Sequence, residues 1–176
     1  MIDLNEIVKI NELRVIDNFL SDQAFEVIQH LLLGPEIDWH FNTTIAGENS
    51  DIDNFQFVHT FFDVKHPFLV KPQPPLNSLF TKLSPAALLR CKANLRTRTS
   101  SHVLSNFHTD MDFNQRTAIF YINSNNGYTL FEDGSSVESI ANRLVLFHGS
   151  RLHCGASCTD QPTRVVLNIN YFPNEL

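Results

Sequence analysis

TAIFYINSNNGYTLFEDGSSVESIANRLVLFHG, residues 117–149, alternates short β-branched and aromatic runs with the turn pairs Asn126-Gly127 and Asp133-Gly134. Runs of this kind, bounded by Gly, Asn and Asp, are the pattern of strands joined by tight hairpins. The rhythm extends outward on both sides. CKANLRT and SHVLSNF precede the stretch, and RVVLNINYF follows it. Roughly seven short strands at this spacing predict a mainly β fold, a double-sheet jelly roll or barrel. No internal repeat or linker divides the chain, so residues 1–176 are expected to form a single domain.

The amino-terminal part supplies flanking helices. In RVIDNFLSDQAFEVIQHLLLG, Ser21 is placed as an N-cap and Phe25, Ile28, Leu31 and Leu32 recur at helical spacing until Gly34-Pro35 stops them. IDWHFNTTI and FQFVHTFFDV then read as strands separated by the polar loop AGENSDIDN. The proline-punctuated KHPFLVKPQPP leads to LNSLFTKLSPAALLRCKANL, whose two halves both show helical spacing around Pro85. A helical layer packed on a sheet is the simplest use for these segments.

Composition narrows the function. The chain has 176 residues, 43% of them hydrophobic, with 15 Phe and only 6 Gly, which suits one aromatic-rich core and argues against disorder. A net charge of −6 disfavours a nucleic-acid partner, because phosphate binding needs clustered Lys and Arg. The start, MIDLNEIVKI, lacks a basic n-region and a long apolar run, and no window is apolar enough to span a membrane, so a soluble, cytoplasmic protein is expected. Cys91, Cys154 and Cys158 are an odd number, which disfavours a disulfide framework. The CGASC spacing beside His153 lacks the second ligand pair of a closed zinc site.

SNFHTDMDF, residues 105–113, carries the chemistry. In an extended segment His108 and Asp110 point to the same face, about 6.6 Å apart along the backbone. One nitrogen and one oxygen so placed can fill neighbouring positions on a metal ion. Two histidines and one carboxylate make the facial triad of non-haem Fe(II) oxygenases. Asp112 reads as a solvated turn carboxylate. A second histidine comes from RLVLFHGSRLHCGAS, where His148 and His153 are both candidates. Further on, Arg164 opens the last apolar strand, and Arg164, Val166, Asn168 and Asn170 share one face. Two asparagines on that face need partners, which a polar pocket supplies.

With HTD, AIFYIN followed by NGYTLFED, NRLVLFHGSRLHCG and TRVVLNINYF in this order, the sequence resembles the 2-oxoglutarate- and Fe(II)-dependent dioxygenases, in their prolyl-hydroxylase-like branch. The resemblance covers residues of about 88–172 and implies a double-stranded β-helix. It implies that His108, Asp110 and His153 hold the iron, His153 being preferred to His148. Arg164 is similar to the residue that pairs with the distal carboxylate of 2-oxoglutarate, whose planar fork suits a partly buried carboxylate. Tyr121 resembles a tyrosine that reaches the same carboxylate, and Asn168 is the next candidate for contact with the cosubstrate.

The implied activity consumes Fe(II)-bound 2-oxoglutarate and O2 to succinate and CO2 while hydroxylating a C–H bond, of a prolyl or other peptidyl side chain or of a small molecule. Nucleic-acid demethylases of the superfamily have a second Arg six residues after the first, where Asn170 stands here. The strand before the metal motif offers Asn94, Arg96 or Arg98 with no clear match to the family pattern. His59 is placed at the substrate entrance, and Tyr128 is expected to narrow the pocket. A jelly-roll module that binds metal or 2-oxoglutarate without turnover, and a cupin-type metalloenzyme, are the alternatives. Cupins generally use an H-x-H arrangement, which is absent.

Overall fold

The computed structural model describes residues 12–45, 54–66, 74–111 and 114–174. The amino-terminal decapeptide, most of the expected loop at 46–54, the centre of the proline-rich connection and Asp112 lie outside these residues.

Among the described residues, ten strands form two antiparallel sheets. Strands β1 (Leu13–Ile16), β2 (His40–Asn42), β3 (Gln56–Asp63), β4 (Pro85–Thr97), β5 (Arg116–Tyr121), β8 (Leu144–His148) and β10 (Thr163–Pro173) make a seven-stranded sheet in the order β1-β8-β5-β10-β4-β3-β2. Strands β6 (Tyr128–Phe131), β7 (Ser136–Glu138) and β9 (His153–Gly155) make a three-stranded sheet in the order β7-β6-β9. The expected strand SHVLSNF is reduced to isolated bridges, Leu104 to Ala156 and, just beyond it, His108 to His153. Two facing antiparallel sheets with crossing connections are the expected jelly roll.

Among the described residues, two α-helices cover the outer face of the large sheet. Helix α1 (Asp22–Leu33) starts where Ser21 accepts from Ala24 N at 3.4 Å and ends where Gly34 N donates to His30 O. Its Phe25, Ile28, Leu31 and Leu32 are buried as the spacing predicts. Each such side chain contributes about 1.5–3 kcal/mol on burial. Helix α2 (Asn77–Leu83) follows a 3-10 turn at Pro74–Leu76 and stops at Ser84, which takes a left-handed φ of 50°.

CKANLRT is a strand as expected, but the strand starts six residues earlier than the sequence suggested: the helical spacing of PAALLR is not realised, and β4 runs from Pro85 to Thr97. It lies between β10 and β3, so both of its edges are hydrogen-bonded, and that pairing overrides the local helical spacing. Alternation along β4, β5 and β10 divides the interior in two. Cys91, Ala93, Phe120, Leu167 and Ile169 join the core under the helices. Ile119, Tyr121, Val166, Val145, Phe147 and Phe131 form a second cluster between the sheets.

Asn142, at φ 62°, ties the turn before β8 to the entrance of α1: its Oδ1 accepts from Leu20 N and its Nδ2 donates to Leu20 O, both at 2.9 Å. Asn tolerates the left-handed region better than most residues, which suits this position. Among the described residues, no helix is long and apolar enough to cross a membrane.

Candidate metal centre

Between the sheets lies a cavity of about 510 Å3, with His108, Asp110 and His153 near one end and Arg164 also in its wall. His108 and His153 face each other across a backbone bridge, with His108 N donating to His153 O at 3.0 Å and His153 N donating to His108 O at 3.1 Å. Their ring centroids are 4.7 Å apart. Asp110 Oδ1 is 4.0 Å from His108 Nε2, and Asp110 Oδ2 is 3.7 Å from His153 Nε2. One ligand atom from each of the three residues lies within 4.8 Å of the others, a spread one metal ion can close.

Both imidazoles are oriented by the backbone two residues earlier. His108 Nδ1 lies 3.0 Å from Asn106 O, and His153 Nδ1 lies 3.2 Å from Arg151 O. A carbonyl oxygen only accepts, so each Nδ1 carries the proton and each Nε2 presents its lone pair beside Asp110. This arrangement fits a metal and gives little reason for two histidines to crowd a carboxylate otherwise.

Asp110 is fixed from beneath. Asn168 Nδ2 donates to both of its oxygens at 3.0 Å, Asn170 Nδ2 donates to Oδ2 at 3.2 Å, and Arg90 donates to Oδ1 at 2.8 Å. Burial works against the charged form, but His153, Arg90 and the Asn168 amide outweigh it and hold the carboxyl below its ordinary range. The carboxylate is therefore ionised and aimed without the metal's help. The shared face of Arg164, Val166, Asn168 and Asn170 does point between the sheets: Val166 belongs to the inner cluster while Val165, Leu167, Ile169 and Tyr171 join the outer core.

Arg164 is buried, at 5% exposure. Its Nε donates to Ser139 Oγ at 2.7 Å and its Nη2 to Thr129 Oγ1 at 3.1 Å. Gly127 lets this side chain in, since a Cβ there would sit 2.6 Å from Arg164 Cδ. Tyr121 is fully buried beneath the guanidinium, and its hydroxyl donates to Thr129 Oγ1 at 2.8 Å. Among the described residues, Tyr121 is absent from the cavity wall; the Arg164 guanidinium lies over its ring, 5.6 Å from the centroid, and the two also share Thr129 as a partner. Asn168 lines the cavity, but its amide nitrogen is spent on Asp110.

His148 stays outside the cluster, with Nδ1 at 2.7 Å from Ser150 Oγ and Nε2 at 2.6 Å from Asn114 Oδ1. His59 does not line the cavity: it pairs with Ala93, whose side faces the outer core, and its Nδ1 contacts Asp38 O. Tyr128 packs on His102 instead of narrowing the cavity, because its place in β6 turns it away from the wall Thr129 forms. The three cysteines are free and buried, and burial pushes the Cys154 and Cys158 thiols up, away from the thiolate a zinc site needs.

On β4 and just past its end, sequence reasoning offered Asn94, Arg96 or Arg98 and passed over Arg90 and Lys92. Arg90, Lys92, Asn94 and Arg96 all line the cavity. Arg96 donates to Gly155 O at 2.7 Å and to Asn54 Oδ1 at 3.1 Å. Burial, with Arg90 next in order, lowers the pKa of the Lys92 ammonium. The period-two alternation R-C-K-A-N-L-R was the available signal, and it places Arg90 and Lys92 on the same face as Asn94 and Arg96.

No family model and no curated protein matches the sequence. Solved structures do match the fold. A prolyl hydroxylase from Trichoplax adhaerens, in complex with a hypoxia inducible factor peptide fragment, is 14% identical at a TM-score of 0.65, with 98% of this chain and 88% of that chain covered. The non-haem alpha ketoglutarate dependent epimerase SnoN from nogalamycin biosynthesis is 15% identical at 0.61, covering 92% and 76%. A Pseudomonas putida prolyl-4-hydroxylase is 12% identical at 0.59, covering 92% of both chains. The chain thus has the jelly-roll fold of the 2-oxoglutarate/Fe(II) oxygenases, prolyl hydroxylases among them.

Proposed function

We propose that this chain, as a single catalytic domain, is an Fe(II)- and 2-oxoglutarate-dependent dioxygenase that hydroxylates a C–H bond, with a prolyl or other peptidyl side chain as the first substrate class. The observation that carries the reading is the convergence of His108, Asp110 and His153 in a cavity whose wall also holds the buried Arg164. His108, Asp110 and His153 would hold the iron, and Arg164 the distal carboxylate of 2-oxoglutarate. Bound there, the metal and 2-oxoglutarate supply the oxidising power, consuming O2 and releasing succinate and CO2 as the substrate gains oxygen.

The chain's own contribution is placement. The carbonyls of Asn106 and Arg151 keep both imidazoles in the tautomer that presents Nε2. Asn168, Asn170 and Arg90 keep Asp110 ionised and limit its rotation. Ser139 and Thr129 anchor two edges of the Arg164 guanidinium, leaving the rest of its fork for a carboxylate. Ile119 and Val166 contribute apolar surface to a wall otherwise lined mainly by polar and charged side chains. The peptide held by the Trichoplax enzyme supports a peptidyl substrate, while the epimerase relative keeps small molecules in the same class of reading.

The test incubates protein, Fe(II), 2-oxoglutarate and O2 with peptide pools, following succinate and the gain of one oxygen by mass. Succinate and an oxidised peptide in wild type, with neither in His108→Ala or Arg164→Ala, is the expected result. Tight binding of iron and 2-oxoglutarate with no succinate under any pool would leave a binding module in place of an enzyme.

A further inference from the structure

The inward face of β4 is more basic than the fold requires. Arg90, Lys92, Asn94 and Arg96 alternate with Cys91 and Ala93, which are buried in the outer core. Among the described residues lining the cavity, Asp110 is the sole carboxylate, and it already accepts from Arg90 and two asparagines. The chain as a whole carries −6, so cations gathered on this wall run against its composition.

Register separates these groups along the strand. Arg96 pairs with Arg164, Asn94 with Val166, and Lys92 with Asn168, whose amide holds Asp110. Lys92 is therefore at the metal end, about 13 Å along β4 from the Arg96 and Arg164 pair. An anion bound at Arg164 leaves Lys92 unserved. Asp110 and Asp63 act on Lys92 through space, but among the described residues neither carboxylate forms a close ion pair with it. Two neighbouring atoms are also orphaned, because Arg90 Nε and Asn94 Oδ1 are buried without a hydrogen-bond partner among the described residues. Unpartnered donors and acceptors in a buried wall are costly unless a ligand satisfies them.

Building on the oxygenase reading above, we propose that Lys92, flanked by Arg90 and Asn94, is the substrate-specificity site of this cavity and receives a carboxylate carried by the substrate. Lys92 supplies the charge, Arg90 Nε a second donor, and the Asn94 side-chain amide faces a polar group beside that carboxylate. The substrate is an acid, either a free N-acyl amino acid or an acidic residue within a peptide, and its anionic group is bound close to the metal end, where it positions the neighbouring C–H bonds.

The experiment uses the Zn(II)-loaded, 2-oxoglutarate-saturated protein, titrated calorimetrically with N-acetylglutamate, with neutral N-acetylglutamine, and with a capped tripeptide carrying glutamate at its centre. Wild type should bind one or both acids at least about tenfold more tightly than the neutral amide, the size expected of one charge-assisted contact. The tighter of the two acids identifies the source of the carboxylate. Lys92→Met should erase the preference, and Lys92→Arg should retain it, with both variants unfolding at the wild-type temperature. Equal binding of acid and amide, or a preference that survives Lys92→Met, would overturn the proposal. So would Lys92→Met weakening 2-oxoglutarate itself by the same factor, which would give the lysine to the cosubstrate. The two readings fail separately. If the metal-loaded protein does not bind 2-oxoglutarate, the oxygenase reading falls, while the same acid and amide titrated into metal-free wild type and Lys92→Met still decide the subsite.

Discussion

Truncating Asn168 to alanine separates the stability of the fold from the quality of the metal site. Asn168 Nδ2 lies 3.0 Å from each oxygen of Asp110, and the other donors to that carboxylate are Arg90 at 2.8 Å and Asn170 at 3.2 Å. A hydrogen bond to a charged group contributes about 1.5–3 kcal/mol net, and Asn168→Ala removes it. The same change also removes Asn168 Oδ1, a buried oxygen with no partner among the described residues, whose burial costs about 1–3 kcal/mol. The two terms offset, so unfolding free energy should change by no more than about 1–2 kcal/mol.

Metal affinity has no such offset. Asp110 keeps Arg90 and Asn170 but loses the donor that spans both of its oxygens, and it regains rotational freedom. Loss of an outer partner of a metal ligand costs about ten- to a hundredfold in affinity, or about 1.4–2.7 kcal/mol. Calorimetric titration with Co(II) at fixed pH, beside thermal unfolding of the metal-free protein, measures both quantities. Metal affinity equal to wild type would refute the reasoning. A fall in stability as large as the fall in affinity would also refute it, because the asparagine would then act through the fold.

Gly127→Ala tests the Arg164 end of the cavity. The new Cβ would lie 2.6 Å from Arg164 Cδ, 2.8 Å from Asn125 Oδ1 and 3.1 Å from Ala156 O, so the arginine must shift. Affinity for 2-oxoglutarate should fall by about tenfold or more while Co(II) affinity stays at the wild-type value, since displacing one bidentate partner costs at least about 1.4 kcal/mol. The exposed pair of Asp17 with Arg143, at 2.5 Å and 3.0 Å, gives a pH prediction. The hydrogen bond from Arg143 holds the Asp17 carboxyl below its ordinary value in the folded chain. Its stabilisation is therefore full above the unfolded value of about 3.9 and is lost as the pH falls through the lower folded pKa. Asp17→Asn should cost no more than about 1 kcal/mol at neutral pH, and wild type and variant should converge on acidification.

How far the sequence carried the reading depended on whether a residue's partner lay on the same strand. The Arg164, Val166, Asn168 and Asn170 face of β10 was legible because strand alternation alone decides it, and the helix at Asp22–Leu33 was legible from Ser21, its apolar spacing and Gly34. In β4 the same alternation pointed to Asn94 and Arg96 but not to Arg90 and Lys92, because the apolar PAALL before them gave no strand signal and their face becomes a cavity wall only when β3 and β10 pair with the strand. Pairing across long sequence separations supplied what no local pattern holds. Asn142 anchors Leu20, and Asn54 meets Arg96, through contacts of 122 and 42 residues' separation. The two carbonyls that set the histidine tautomers belong to backbone whose direction side-chain types do not announce.

If His108, Asp110 and His153 hold iron in a cavity where Arg164 holds 2-oxoglutarate, an anaerobic titration of the metal-free protein with Fe(II) and then 2-oxoglutarate will develop the weak visible charge-transfer band of a chelated Fe(II) keto acid. The band should form in wild type and be lost in His153→Ala. Iron binding without the band, or a band that persists in His153→Ala, would contradict this assignment.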